Sequence, residues 1–291
     1  MAGIRQGSVR LARRVLAGAL AAAMATTGCT ADRPRAAADG DARRTTDAAA
    51  RPRSMAALGD SITRAFATCG RGGDCVENSW ATGTAPGVDS HWQRLAVGAA
   101  DGNHNVAVSG ARVAGLGAQV QAALRVRPGY VTVLIGANDA CAGDEAAMTP
   151  VGEFAAAFDA AVDALARGLP DARILVLSIP DLSRLWEVGR DRPEVVRAWE
   201  SYRICQSMLA AATDRGADAQ ARRERVRERV IAYNAAMGTA CARHPQCRHD
   251  RNAVFDYRFD LADVSTVDYW HPSSRGQATL ARVGWEAGFW S

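Results

Sequence analysis

Tyr130-Val131-Thr132-Val133-Leu134-Ile135-Gly136-Ala137-Asn138-Asp139 is the stretch that decides the fold. Six apolar or β-branched residues run without alternation and stop at a glycine. An unbroken run of this length, bounded by a turn signal, predicts a strand covered on both faces, as in a parallel sheet. Three further runs have the same form. Met55 to Leu58 ends in Gly59-Asp60, Asn105 to Val108 ends in Ser109-Gly110, and Arg173 to Ser178 ends before Pro180. Ala253 to Phe255 is a weaker fifth. Helical patterns lie between them at Trp92 to Ala100, Gly117 to Leu124, Pro150 to Arg167, about Ala217 to Arg243, and Gly276 to Trp285. Strands alternating with helices predict an α/β protein with a five-stranded parallel sheet between two helical layers. The Arg222 to Arg229 stretch of the long helix reads as a solvated face.

The chain has 291 residues, 48% hydrophobic and 23% charged, which is globular composition. All 35 basic residues are Arg. Residues 1–53 carry ten Arg against four Asp, so the net +4 comes from the amino terminus and the remainder is slightly acidic. That balance disfavours nucleic acid as a partner. Arg5, Arg10, Arg13 and Arg14 precede eleven apolar residues, Val15 to Ala25, and then small residues up to Cys29. This order predicts a signal peptide over 1–29. Thr26-Thr27-Gly28-Cys29 is similar to a lipobox, which leaves two readings: a membrane anchor through acylated Cys29, or simple secretion. Residues 30–53 hold almost no large apolar side chain and read as a disordered linker; residues 54–291 form the single folded domain.

Six cysteines remain beyond Cys29, an even number that suits an exported protein with disulfides. Six allow many pairings; the local one is Cys69–Cys75, Cys141–Cys205 and Cys241–Cys247. A rival reading draws zinc to Cys241, His244, Cys247 and His249, but their spacing is tight and the compartment oxidising.

The loops after the first three strands should converge, because a parallel sheet presents its ligand site beyond the carboxyl ends of its strands. They carry Gly59-Asp60-Ser61, Ser109-Gly110 and Gly136-Ala137-Asn138-Asp139. Ser61, at a strand-to-helix turn, is a candidate nucleophile, or only a helix cap. A serine needs a base, and among five histidines only His271 stands three residues after an acid, Asp268. Such an acid can fix the imidazole tautomer and stabilise the imidazolium. His91, His104, His244 and His249 lack that setting. Gly110 offers an unobstructed backbone N–H and Asn138 an amide, both suited to a developing oxyanion.

Together these motifs resemble the GDSL/SGNH hydrolase family over about residues 55–291. Ser61, Gly110, Asn138, Asp268 and His271 occupy its four conserved blocks, with Ile62 where Leu is usual. Asn78 to Thr84, Ser178 to Leu182 and Asp268 to Ser273 are similar to its phospholipase B-like branch, in exported proteins of actinobacterial type. The resemblance implies a flavodoxin-like sandwich and carboxylic ester hydrolysis. It implies Ser61, Asp268 and His271 as the catalytic set, Ser61, Gly110 and Asn138 as the oxyanion hole, and no cofactor or metal. The expected partner is a small-molecule or lipid ester, and the expected state a monomer. A carbohydrate O-acetyl esterase on the same scaffold, and a catalytically silent surface lipoprotein, are the alternatives. Trp80, Trp92, Trp186 and Trp199 are candidates for an acyl pocket or for the core.

Overall fold

Every residue of the strand Tyr130–Leu134 is buried, as its run of apolar and β-branched residues without charge predicts. The computed structural model describes residues 51–95 and 102–290. The proposed signal peptide, Cys29, and the linker up to residue 50 lie outside the described residues, as do residues 96–100 of the helix read from Trp92. Among the described residues the elements follow in the order β1 (Met55–Gly59), α1 (His91–Arg94), β2 (Asn103–Asn105), α2 (Leu116–Val126), β3 (Tyr130–Leu134), α3 (Ala137–Ala140), α4 (Val151–Gly168), β4 (Arg173–Val176), α5 (Leu182–Gly189), α6 (Pro193–Ser201), α7 (Gln206–Leu209), α8 (Ala217–Ala242), β5 (Cys247–His249), α9 (Ala253–Asp256) and α10 (Ser274–Glu286).

The sheet is parallel throughout, in the order β2-β1-β3-β4-β5. That is the doubly wound, flavodoxin-like order, whose crevice opens where successive connections leave β1 on opposite sides. Gly59 pairs with Leu134, so the loops after β1 and β3 start level with each other. Gly59 has φ +149°, and a Cβ there would collide with the Leu134 carbonyl, so only glycine fits. Helices α2, α4 and α8 pack on one another over one face. α1 and α10 meet on the other, where His91 reaches the Ala281 carbonyl.

Three expectations need correction. The fifth strand is Cys247–His249, while Ala253–Asp256 is a short helix. The Cys241–Cys247 disulfide turns the chain back after α8 and lays this polar segment on the sheet edge beside β4. The Arg-rich face of α8 is also not wholly solvated. Arg223 is 3% exposed and lies over the Trp186 ring, with Arg190 over the same ring. Its two terminal nitrogens donate to the carbonyls of Asp214 and Ala211. An aromatic face and two carbonyls replace the water the guanidinium gives up. The second strand lies earlier than read, at Asn103–Asn105 instead of Asn105 to Val108, although Val106 and Val108 still donate to the carbonyls of Ala57 and Gly59.

All three expected disulfides are formed: Cys69–Cys75, Cys141–Cys205 and Cys241–Cys247. Such bonds persist in oxidising, extracytoplasmic surroundings. Among the described residues no helix is long and apolar enough to cross a membrane.

His91 is fully buried between Trp80, Tyr130 and Trp285. Burial, helped by the nearby Arg94 and opposed by the Ala281 carbonyl, pushes its pKa down to about 3. The unfolded chain therefore takes up this proton first as pH falls. The stability His91 contributes is complete above about pH 6.5 and is lost toward pH 3, by up to roughly 5 kcal/mol. Urea unfolding as a function of pH should lose this part of its acid limb in His91→Gln; an unchanged limb would contradict the assignment.

Candidate active site

Ser61 follows β1 directly. The segment is an irregular turn, not the start of a regular helix, because Ala65 and Ala67 take positive φ. Arg64 and Phe66 nevertheless donate back to the carbonyls of Asp60 and Ser61, which holds the turn closed. The Ser61 side chain meets His271, 210 residues later: Oγ lies 2.8 Å from Nε2. His271 Nδ1 lies 2.6 Å from Asp268 Oδ2. The other Asp268 oxygen accepts the backbone N–H groups of Trp270 and His271, at 2.9 and 3.1 Å. Burial alone would push the Asp268 carboxyl up. The His271 ring hydrogen bond and charge, with the two N–H groups, outweigh that and hold it below the usual carboxylate range. The Phe66 ring lies 4.7 Å from the imidazole, centroid to centroid.

Gly110 and Asn138 come together on the neighbouring loops. The Asn138 amide donates to the Ala111 carbonyl at 3.0 Å, which leaves one of its two N–H groups for another acceptor. Gly110 is exposed, at φ +80° with open space where a Cβ would stand. Among the described residues, neither the Ser61 nor the Gly110 backbone N–H donates to a protein acceptor. The zinc reading fails on its donor set: Cys241 and Cys247 are bonded to each other, and His244 lies 3.0 Å from Asp163. Cys69, Cys75 and Glu77 also cluster, but both sulfurs are in a disulfide.

Several residues that hold this arrangement escaped the sequence reading. Gln119 of α2 clamps Gly59, accepting its N–H and donating to its carbonyl. Gln277 of α10 accepts from Trp80 N–H and donates to the Ile62 carbonyl. Trp199 donates from its indole to Tyr269, fixing the loop before His271. Asp139 accepts from Val113 N–H and from Thr149, tying the Gly110 loop to the Asn138 loop. Only Asp139 had a local signal, its place beside Asn138. The others act on partners about 60 to 200 residues away, where no spacing rule reaches.

A parallel sheet with this crevice, and a hydroxyl, imidazole and carboxylate in line at its carboxyl edge, define a carboxylic ester hydrolase. Residues 57–279 match the GDSL-like lipase/acylhydrolase family, and the chain belongs to that family. Solved structures similar to it include an α/β-hydrolase enzyme from the metagenome of Lake Arreo, Spain, 19% identical with a TM-score of 0.49 over 80% of this chain and 94% of that one. A variant of an acetyl-xylooligosaccharide esterase from Geobacillus stearothermophilus is 18% identical, with a TM-score of 0.49 over 81% and 94%. An extracellular lipase from Streptomyces rimosus is 18% identical, with a TM-score of 0.48 over 80% and 99%. No curated protein matches the chain.

Asp60, beside Ser61, is the opposite of Asp268. One oxygen accepts from Ile62 N–H at 2.8 Å, and the other is buried without a partner. Burial pushes its pKa up to about 7, against the pull of the Ile62 N–H and His271. The unfolded chain gives up this proton first, near pH 4, so stability falls as pH rises from about 4 to 7. The loss reaches about 4 kcal/mol. Asp60→Asn should therefore gain stability over the wild type across that window and match it below; a constant difference at all pH values would refute a buried neutral carboxyl.

Proposed function

We propose that this enzyme cleaves esters of aliphatic acyl groups through an acyl-enzyme on Ser61. His271 Nε2 takes the Ser61 proton as Oγ attacks the carbonyl carbon. Asp268 holds the ring and stabilises the imidazolium. The N–H groups of Ser61 and Gly110 and the Asn138 amide receive the oxyanion. The C–O bond to the alcohol then breaks, and His271 returns the proton to the leaving oxygen. Water repeats the sequence on the acyl-enzyme, releasing the acid and restoring Ser61.

The observation that supports the acyl preference is an apolar cavity of about 70 Å³ whose lining includes sequence neighbours of the catalytic residues, although Ser61, Gly110, Asn138 and His271 do not themselves line it. Ile62, Ala137, Trp270 and Pro272 line it, each next in sequence to Ser61, Asn138 or His271. Leu182 and Leu185 of α5 line it as well. Its charged lining groups are occupied elsewhere: Asp181 pairs with Arg227, Arg184 with Glu187, and Asp263 with Arg275. Hydrocarbon is the group such a wall favours. None of Trp80, Trp92, Trp186 and Trp199 lines it; all four are buried core residues. Placement in the phospholipase B-like branch is part of the same proposal, supported by the Asn78 to Thr84 and Ser178 to Leu182 motifs. Export, with Cys29 as a lipid attachment point, is proposed on the order of charges and apolar residues in 1–29.

A hydrolysis panel of acetyl, butyryl and palmitoyl esters, phosphatidylcholine, lysophosphatidylcholine and acetylated xylan tests this. Each methylene from acetyl to butyryl should raise kcat/KM about fourfold, the value of one buried CH₂, until the cavity is full. Ser61→Ala should abolish turnover and fluorophosphonate labelling while folding normally. Preference for acetylated xylan would replace the reading with a carbohydrate O-acetyl esterase. A wild type that neither turns over nor labels would leave a binding protein.

A further inference from the structure

We propose that Asp74 is a positioning residue that holds the Ser109–Gly110 peptide, and with it the Gly110 N–H, in place. This rests on the oxyanion role proposed above for Gly110. Val108, Ser109 and Gly110 are all exposed, Val108 by 56%. Packing therefore does little to fix them. The ends of the segment are held by backbone: Val108 N–H donates to Gly59, Ala111 N–H to Val108, and Asn138 caps the Ala111 carbonyl. Among the described residues the middle makes one side-chain hydrogen bond, from Ser109 Oγ to Asp74 Oδ1 at 2.5 Å. The Gly110 N–H belongs to the peptide that joins it to Ser109. At a glycine with φ +80° and open space where a Cβ would stand, side-chain packing does nothing to fix the orientation of that peptide.

Asp74 is itself held on a closed loop. Its second oxygen accepts from Arg64 Nε at 2.8 Å. Cys75 N–H donates to the Arg64 carbonyl and Ala67 N–H to Gly73, and Cys75 is bonded to Cys69. The same loop touches the base: Ser265 Oγ donates to the Ala67 carbonyl at 2.7 Å, Ser265 N–H donates to His271, and Phe66 lies against the imidazole. One disulfide-closed segment thus starts at the nucleophile, borders the base and ends on the oxyanion loop. The Asp74 and Ser109 side chains do not themselves reach the reacting atoms; they act through Gly110.

Asp74→Ala and Ser109→Ala should each lower kcat about ten- to a hundredfold, less than the roughly 10²–10³ lost when an oxyanion donor is removed outright. KM should stay unchanged, and affinity for a boronic acid that forms a tetrahedral adduct on Ser61 should fall in parallel. The double variant should cost no more than either single, as expected of two ends of one bond. Asp74→Asn, which keeps an acceptor for Ser109, should retain most of the rate. Both sites are at the surface, so melting temperatures serve as the check on folding. Hydrogen exchange over residues 108–111 should quicken in both alanine variants, a readout that needs no substrate. Unchanged exchange, multiplied costs in the double variant, or an effect on KM alone would overturn the proposal. Faster exchange with unaltered kcat would overturn it by removing Gly110 from the oxyanion hole, while turnover by the wild type and its loss in Ser61→Ala would leave the ester reading standing.

Discussion

The parallel pairing of β1 with β3 is the constraint on which the rest depends. Both strands are buried along their whole length, and Gly59 lies level with Leu134. Two fully buried strands cannot slip past each other without exposing backbone polar groups or breaking the packing on both faces. Their carboxyl ends are therefore level, and the turns that follow bring Ser61 and Asn138 to the same rim. The glycine at the end of β1 permits this close approach, since any side chain there would strike the neighbouring strand.

The site is held by hydrogen bonds that cross the fold more than by apolar contact. Gln119 grips the end of β1, Gln277 grips the turn after it, and Trp199 grips the loop that carries the histidine. Each spends a buried polar group on a backbone atom, which is the arrangement that makes buried polarity tolerable and a geometry unique. Asp60 and Asp268 illustrate how environment alone separates two like groups. Asp268 accepts three hydrogen bonds, one from the imidazole, and stays charged. Asp60 accepts one and keeps a bare buried oxygen, so its neutral form is favoured.

The sequence reading and the structure agree most closely where a signal was local and apolar. Tyr130–Leu134 and the β1 run stood out because burial on both faces excludes charged residues and leaves apolar and β-branched ones. The same logic fails for Cys247–His249, an edge strand of Cys, Arg and His whose pairing is imposed by a disulfide. It fails for Arg223 too, since charge patterning reports solvent only until an aromatic face such as Trp186 arrives from elsewhere. Helices α5 to α7 lie in a stretch broken by Gly189, Pro193 and several left-handed residues, where no long periodic pattern could form.

The sequence by itself determined the alternation of strand and helix, the three loops that carry Ser61, Gly110 and Asn138, and the Asp268–His271 pair. These are short-range properties: strand burial, turn chemistry and spacing within a few residues of the chain. Tertiary structure alone decided that Ser61 and His271 meet across 210 residues, that an apolar cavity forms among residues next in sequence to them, and that Asp74 reaches Ser109. The reason is physical. A side chain's reach is a few ångströms, while the separation between these partners along the chain is tens to hundreds of residues, and only the folded backbone converts one distance into the other.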